Sequence, residues 1–312
     1  GGNWSRPGAA WSFLHNHAIA HNDDEPSRAG NQAGEPWLRA FAPPLVRASY
    51  ANENGHTRLD RDLILMEIGE SGGFYAFDVQ RLAGGKLHTW CFHGCESHEL
   101  DLNVPVEPRT VKWIARMLEG MHRVGVATDL LQATWTMTRE PRAYPHTFQN
   151  GGTVATVACE PAVLGTRYDP ALPPVRVRAT LLGHGGETVL QGNPYSEPYA
   201  YCFPFLWVQG EARETSVYPA VYEWYRGDTP TIAAVELVAK DPLTVRVTAA
   251  SGQVDEYVAT ADTFVAVSRD AQGLRYAQFS GVPGYQGKDL QFQAAAGHRT
   301  TIVAMDYRTR RL

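Results

Sequence analysis

The chain has 312 residues, of which 44% are hydrophobic and 20% charged, a composition typical of a globular protein that can bury a sizeable core. Its formal net charge of −5 gives no indication of the basic face that nucleic-acid-binding proteins usually carry, so we expect no nucleic-acid partner. There is no run of about 18 apolar residues that would predict a transmembrane helix, and four cysteines are too few for a disulfide framework.

Strands dominate the pattern along the chain. Short stretches rich in β-branched and aromatic residues recur throughout, separated by glycine-rich or polar breaks. Adjacent Gly84 and Gly85 tolerate the positive φ angles of a tight turn, so the segment 61–94 is predicted to form a hairpin that turns there. The predicted strands are 63–68, 73–82, 86–93, 130–137, 153–159, 175–182, 203–209, 218–225, 231–239, 243–250, 255–262, 263–269, 274–280 and 299–306.

One segment, 107–125, has the spacing of an amphipathic helix instead. Pro108 suits the first turn of a helix and Gly125 suits its end. Its apolar residues follow the i, i+3, i+4 pattern at Val111, Ile114, Met117, Leu118 and Met121. The sequence therefore predicts an all-β protein, a β-sandwich of stacked antiparallel sheets with one inserted helix near 107–125. No linker is evident, so we expect residues 1–312 to form one module.

The stretch "LHTWCFHGCESHEL" (87–100) concentrates possible metal ligands, namely Cys91, His93, Cys95 and His98. On one extended strand, residues at i and i+4 lie roughly 13 Å apart, too far for one zinc ion or a disulfide to join them. A sharp bend at Gly94 would bring them together and leaves the zinc interpretation open. We favour a buried strand in which the cysteines act as small hydrophobic residues.

The block 61–94 resembles the C-terminal β-sandwich of the heparinase II/III-like polysaccharide lyases. The matching positions are Arg61, Tyr75, Asp78, Val79, Arg81, Gly84, Gly85, His88, His93 and Gly94. Three further segments resemble this family. Residues 14–30 are similar to its His-Asn strand, 216–238 to a strand in which Trp224 replaces a proline, and 246–262 to a hairpin with Ser-Gly in place of Asp-Gly.

The resemblance implies that the chain belongs to a bacterial enzyme, periplasmic or secreted, that cleaves uronic-acid polysaccharides such as glycosaminoglycans or alginate by β-elimination. In the family, most catalytic residues lie on an N-terminal α/α toroid. This chain contains no such toroid, so we expect it to form one wall of the substrate cleft and to be inactive alone. The alternative is a non-catalytic β-sandwich that binds carbohydrate or supports assembly.

Candidate site residues follow from the same resemblance and from residue chemistry. His15, by its match to the His-Asn pair, is a candidate ligand of one structural zinc, with His17 as a possible second ligand. Tyr and Trp faces can stack on sugar rings, and Arg can pair with a carboxylate or sulfate. The candidates for acid–base catalysis are His15, Tyr75, His88 and His93, and those for binding an acidic polysaccharide are Tyr222, Trp224, Tyr225 and Arg226.

Overall fold

The computed structural model describes a large part of the chain. The described residues are 18–21, 32–41, 45–52, 57–69, 73–94, 98–111, 120–137, 143–147, 154–158, 171–192, 195–196, 201–202, 204–282, 284–286, 291–293 and 300–302. Within these ranges the regular elements are all strands, and every strand pair whose register is defined is antiparallel. The all-β prediction is confirmed.

The strands, in chain order, are β1 (Ala18–His21), β2 (Gln32–Phe41), β3 (Leu45–Asn52), β4 (Arg58–Ile68), β5 (Gly73–Ala83), β6 (Leu87–His93), β7 (His98–Leu102), β8 (Val106–Val111), β9 (Gly120–Val126), β10 (Leu130–Met137), β11 (Ala143–Thr147), β12 (Val154–Ala158), β13 (Val175–Leu182), β14 (Thr188–Gly192), β15 (Tyr195–Ser196), β16 (Tyr201–Cys202), β17 (Phe205–Glu211), β18 (Ser216–Arg226), β19 (Ile232–Lys240), β20 (Leu243–Ala249), β21 (Val254–Ala259), β22 (Phe264–Asp270), β23 (Gly273–Val282), β24 (Gly284–Gln286), β25 (Gln291–Gln293) and β26 (Thr300–Ile302).

The chain divides into two compact units, of which the first comprises residues 1–38, 47–62 and 78–228. It contains a six-stranded sheet in the order β1-β6-β17-β14-β9-β8 and most of an eight-stranded sheet in the order β2-β3-β4-β5-β18-β13-β10-β7. Aromatic side chains join the two sheets face to face. The Phe92 ring on β6 stacks on Tyr222 of β18 with centroids 4.7 Å apart, and lies 5.0 Å from the Trp135 ring of β10. This part of the chain is therefore a sandwich.

The second unit comprises residues 39–46, 63–77 and 229–312, and its main sheet has the order β19-β20-β21-β22-β23-β26. Burial alternates strictly along β20, where Leu243, Val245 and Val247 face the core. The Phe77 ring stacks on Tyr257 with centroids 4.2 Å apart. The chain passes between the two units within strands β2, β3, β4 and β5, and again between Asp228 and Thr229 after β18.

The hairpin predicted to turn at Gly84 and Gly85 is wrong in its pairing. Both glycines do have positive φ angles, 80° and 75°, as the turn requires. However, β5 lies between β4 and β18 in the eight-stranded sheet, whereas β6 lies between β1 and β17 in the six-stranded sheet. A Gly-Gly pair allows the chain to reverse but does not determine which strands become hydrogen-bonded. The turn therefore carries the chain from one sheet of the sandwich to the other.

The helix predicted near 107–125 is also wrong at both ends. Strands β8 and β9 pair from Val106 opposite Gly125 to Val111 opposite Gly120, while residues 112–119 lie outside the described part. Each glycine disfavours a helix by about 1 kcal/mol relative to alanine, and β-branched valines favour strands. Gly125 also allows a close approach, since a Cβ atom there would lie 2.4 Å from the Pro105 carbonyl oxygen.

Candidate functional site

The residues that carry the family resemblance form buried ion pairs between β4 and β5. Arg61 holds Asp78 through two hydrogen bonds, Nε to Oδ1 and NH2 to Oδ2, each 2.9 Å long. The Tyr222 hydroxyl donates to Asp78 Oδ2 at 3.1 Å, and Gln80 Nε2 donates to the same oxygen at 2.9 Å. Because Asp78 is completely buried, this set of donors is what allows its charge to remain inside the protein.

A second pair joins the same two strands. Arg81 NH1 donates to Asp62 Oδ2 at 2.7 Å, and both side chains are buried. The motif residues Asp78 and Arg81 thus each bind a residue on the neighbouring strand β4. This geometry gives both residues a structural role that does not require contact with a substrate.

Tyr75, a candidate for acid–base catalysis, is fully buried in the second unit. Its hydroxyl lies 2.5 Å from Asp255 Oδ2 and 2.5 Å from the Tyr257 hydroxyl. Burial raises the pKa of Tyr75 well above its ordinary value, and the neighbouring Tyr257 and Asp255 raise it further. A general base needs a pKa near the working pH. The placement of Tyr75 favours packing, and its catalytic role stays a prediction.

His88 is buried between a carbonyl and a hydroxyl. Its Nε2 lies 2.7 Å from the Gly84 carbonyl oxygen and its Nδ1 lies 2.6 Å from Ser216 Oγ. Burial lowers the pKa of the His88 imidazole. A neutral ring fits both contacts, since Nε2–H donates to Gly84 while Nδ1 accepts the Ser216 hydroxyl proton. The two contacts of His88 therefore stabilise the turn between the two sheets.

His93 is half-buried at the end of β6. Its Nδ1 donates to the Gly94 carbonyl at 2.7 Å, and its ring centroid lies 4.7 Å from that of Phe205. Like those of Tyr75 and His88, its catalytic assignment stays a prediction of the sequence, and these contacts give it a local structural role.

The metal candidates are only partly covered by the described residues. Cys91 is a free, buried thiol whose pKa is raised well above the ordinary value by burial. His15, His17 and Cys95 lie outside the described part, as does the side chain of His98. Among the residues that the structure describes, no group of three His, Cys, Asp or Glu side chains is arranged to hold a metal ion. The structural zinc at His15 and His17 stays a prediction.

The four candidate sugar-binding residues lie within positions 222–226 at the end of β18, where they separate into two classes. Tyr222 and Tyr225 are buried, with 4% and 9% of their surfaces exposed, whereas Trp224 is 42% exposed and Arg226 is also exposed. Trp224 and Arg226 point to the same face of the strand because side chains alternate along it. They therefore present an aromatic ring and a cation side by side to solvent.

Arg226 is only lightly held. Its NH1 donates to the Pro173 carbonyl at 3.4 Å, which is near the limit for a hydrogen bond. In the part of the chain that the structure describes, no ion pair of Arg226 with a carboxylate is found. Because the Arg226 side chain is exposed, its charge is accessible to an anion in solution.

The opposite face of β18 carries a cluster that the sequence did not reveal. Strand β13 places Arg176 directly opposite Tyr225, and Arg178 directly opposite Glu223. Burial raises the pKa of Tyr225, an effect that the positive charge of Arg178 opposes. The alternation of "VRVR" along β13 places both arginines on one face of the strand. Their neighbours follow from strand pairing, which sequence reasoning could not supply.

The two arginines of this cluster are held differently. Arg178 Nε donates to Glu223 Oε1 at 2.6 Å, and that carboxylate is only 2% exposed. Arg176 NH1 lies 2.6 Å from Asp228 Oδ1, and the Asp228 side chain is 92% exposed. The first pair is part of the protein interior, whereas the second is open to solvent.

An open groove of about 550 Å³ lies elsewhere in the first unit, lined by Leu87, 185–188 and 209–213. Glu187 lies against Gly210, where an added Cβ atom would come within 2.8 Å of the carboxyl carbon. Its Oε1 lies 2.9 Å from His184 Nδ1, and His184 Nε2 lies 2.9 Å from the Val217 carbonyl oxygen. These contacts fix the carboxylate beside the groove but do not identify a ligand.

Comparison with known proteins gave a likeness of fold. No family model matches the chain, and no curated protein matches it. Among solved structures, it is similar to a mutant of the heparan sulfate lyase HepC from Pedobacter heparinus, with 10% sequence identity and a TM-score of 0.42. The match covers 80% of this chain and 31% of that lyase, so the chain spans about a third of its length.

In the described residues, no helix has the length and apolarity needed to cross a membrane.

Proposed function

We propose that this chain is the β-sandwich wall of the substrate cleft in a polysaccharide lyase that cleaves uronic-acid polymers by β-elimination. The observation that carries the proposal is the exposure of Trp224 and Arg226 on one face of β18. An indole face stacks on a sugar ring, and a guanidinium pairs with a uronate carboxylate or a sulfate. The resemblance of residues 61–94 to heparinase II/III-like lyases supports the same class of substrate.

The proposed contribution of this chain is binding and orientation. In β-elimination a base removes the proton at C5, an acid protonates the oxygen that leaves C4, and the neutralised carboxylate makes the C5 proton acidic. Tyr75 and His88 are buried in hydrogen bonds within the chain. We therefore assign proton transfer to an N-terminal α/α toroid that completes the cleft. We further propose that the protein is bacterial and acts in the periplasm or outside the cell.

Binding is tested with heparan sulfate, hyaluronan and alginate, using affinity electrophoresis and calorimetry. We expect Trp224→Ala and Arg226→Ala each to weaken binding about tenfold, which corresponds to about 1.4 kcal/mol. Phe74→Ala and Arg123→Ala are matched controls, because they remove an exposed aromatic ring and an exposed cation elsewhere. Equal losses in the controls, or no binding by the unaltered chain, would contradict the proposal.

Activity is tested by ultraviolet absorbance of the unsaturated product. The 312-residue chain alone is expected to give no product from any of the three polymers, because the proposed acid and base lie on the toroid. Activity that appears when the N-terminal portion is supplied would support a divided cleft. Rapid turnover by the chain alone would overturn it, and His15, Tyr75, His88 and His93 would be the first residues to substitute.

A second candidate function is a carbohydrate-binding module without catalysis. It is favoured by the engagement of the described acid–base candidates in internal hydrogen bonds. The two functions differ in the behaviour of the longer natural protein. The lyase requires unsaturated products from that protein, whereas the binding module gives affinity for the polymer with no product.

A further inference from the structure

We infer that Arg176 is a second binding position for a uronate carboxylate, and that the side chain of Asp228 occupies it when no polymer is bound. The inference rests on the proposed function for the identity of its ligand. It places this position on β13, on the face of the sheet opposite to that of Trp224 and Arg226.

The guanidinium of Arg176 is held in place by groups that leave part of it available. Its Nε donates to Thr136 Oγ1 at 3.2 Å, and its NH1 donates to the Gly227 carbonyl oxygen. Only 20% of the side chain is exposed. A guanidinium fixed in this way loses little conformational entropy when it binds an anion, which favours affinity.

The contact with Asp228 shows that Arg176 binds a carboxylate group. Its carboxylate oxygen Oδ1 lies 2.6 Å from Arg176 NH1, while 92% of its side chain is exposed. The preceding Gly227 has a φ of 77°, so the chain turns at the end of β18 and places Asp228 beside the guanidinium. An ion pair with one partner this exposed is stabilised weakly, because water competes with it. A ligand carboxylate can therefore take the place of Asp228.

The neighbouring Arg178 provides the contrast within the same cluster. Its partner Glu223 is only 2% exposed, so a ligand cannot displace that carboxylate without opening the protein. Tyr225 lies opposite Arg176 in the strand register and within electrostatic range of both Arg176 and Asp228. The exchangeable part of the cluster thus consists of Arg176, Tyr225 and Asp228. Here a ligand carboxylate can replace the carboxylate of Asp228.

The test measures the affinity of an alginate tetrasaccharide, whose only anionic groups are carboxylates. Asp228→Asn removes the competing charge and is expected to raise affinity about threefold to fivefold. Arg176→Gln is expected to lower affinity about tenfold, and the double variant should show no gain from Asp228→Asn. Glu107→Gln is the matched control, since Glu107 also forms a surface ion pair, with Arg109 at 3.6 Å, and is 77% exposed.

A heparin tetrasaccharide and sodium sulfate provide the arm that separates sulfate from carboxylate. Gains confined to the sulfated ligands would overturn the carboxylate assignment. No gain for Asp228→Asn, or a gain equal to that of Glu107→Gln, would overturn the inference as a whole. Circular dichroism melting confirms that each variant is folded, and Asp228→Asn alters only an exposed side chain, so the test does not depend on Arg176→Gln.

A direct measurement separates this inference from the proposed function. In chain labelled with 15N-arginine, glucuronate is expected to shift one Nε–Hε resonance, assigned to Arg176 by its loss in Arg176→Gln. A shift without polymer binding would retain the subsite and reject the lyase wall. Weaker polymer binding in Trp224→Ala, with no effect of Arg176→Gln, would retain the lyase wall and reject the subsite at Arg176.

Discussion

Two pairs of arginine and aspartate in the eight-stranded sheet have the same chemistry and opposite surroundings. Arg61 binds Asp78, whose side chain is fully buried, whereas Arg176 binds Asp228, whose side chain is 92% exposed. Removing one partner of a buried pair leaves an uncompensated charge, but removing one partner of an exposed pair leaves a charge that water solvates. The first region is expected to determine whether the protein folds, and the second what it binds.

The largest effect is expected at Asp78. Asp78→Ala removes the carboxylate that accepts from Arg61, from Gln80 and from the buried hydroxyl of Tyr222, and we expect a loss of about 3–5 kcal/mol in the free energy of unfolding. Urea denaturation measures it. Asp60→Ala removes a partly exposed aspartate paired with Arg58 on β4 and should cost less than about 1 kcal/mol. Similar losses in the two variants would erase the distinction between the regions.

The two arginines of β13 sharpen the comparison, because they lie two residues apart on one strand. Arg178→Ala removes the guanidinium that pairs with the buried Glu223 carboxylate and is expected to cost about 2–3 kcal/mol. Arg176→Ala is expected to cost less than about 1 kcal/mol, since Asp228 becomes solvated. Thermal and urea unfolding of both variants give the comparison. A larger loss for Arg176→Ala would contradict it.

A pH titration of stability probes the buried region at His88. Burial lowers the pKa of this histidine in the folded protein. As the pH falls, the unfolded chain therefore binds a proton before the folded chain does. The contribution of His88 to stability is therefore complete above the ordinary imidazole pKa of about 6.5 and decreases as the pH falls below it. His88→Gln should flatten the pH dependence of unfolding below about pH 6.5. An unchanged slope would indicate that another group dominates.

The smallest effect on stability is expected at Arg226. Its exposed side chain makes one long contact with the Pro173 carbonyl, so Arg226→Ala should change the free energy of unfolding by less than about 0.5 kcal/mol. Polymer binding should respond instead, and it should weaken as salt increases because added ions screen exposed charges. The measurement is affinity at low and high salt in both proteins. A salt dependence unchanged by Arg226→Ala would remove this residue from the proposed site.

Local patterns in the sequence predicted strands better than they predicted strand pairing. Alternation along β20 correctly identified Leu243, Val245 and Val247 as core residues. The same kind of local evidence failed at Gly84 and Gly85, because the pairing of β6 depends on β1 and β17, which lie far away in sequence. It failed again at 107–125, where apolar spacing suggested a helix but pairing with β14 requires a strand at β9.

The candidate site was predictable in part for the same reason. Aromatic and cationic residues near the end of β18 predicted a binding surface, which stays a prediction, and the structure shows that Trp224 and Arg226 are exposed there. The sequence could not separate these residues from Tyr222 and Tyr225, because burial depends on what covers each face of the strand. Arg176 was not foreseen, because its position beside Tyr225 arises from pairing between two strands that are distant in sequence.

The crossing at Gly84 and Gly85 has a consequence for the route by which the chain folds. Each of β5 and β6 can pair early with one preceding strand, but their other partners, β18 and β17, are synthesised much later. Asp78 on β5 contacts Tyr222 across 144 positions, and His88 on β6 contacts Ser216 across 128. These long loops must close before the stabilising contacts between the strands can form. This order of events predicts folding times of milliseconds to seconds. During that interval both strands have unpaired edges, and a nascent chain would depend on dilution or chaperones to avoid aggregation.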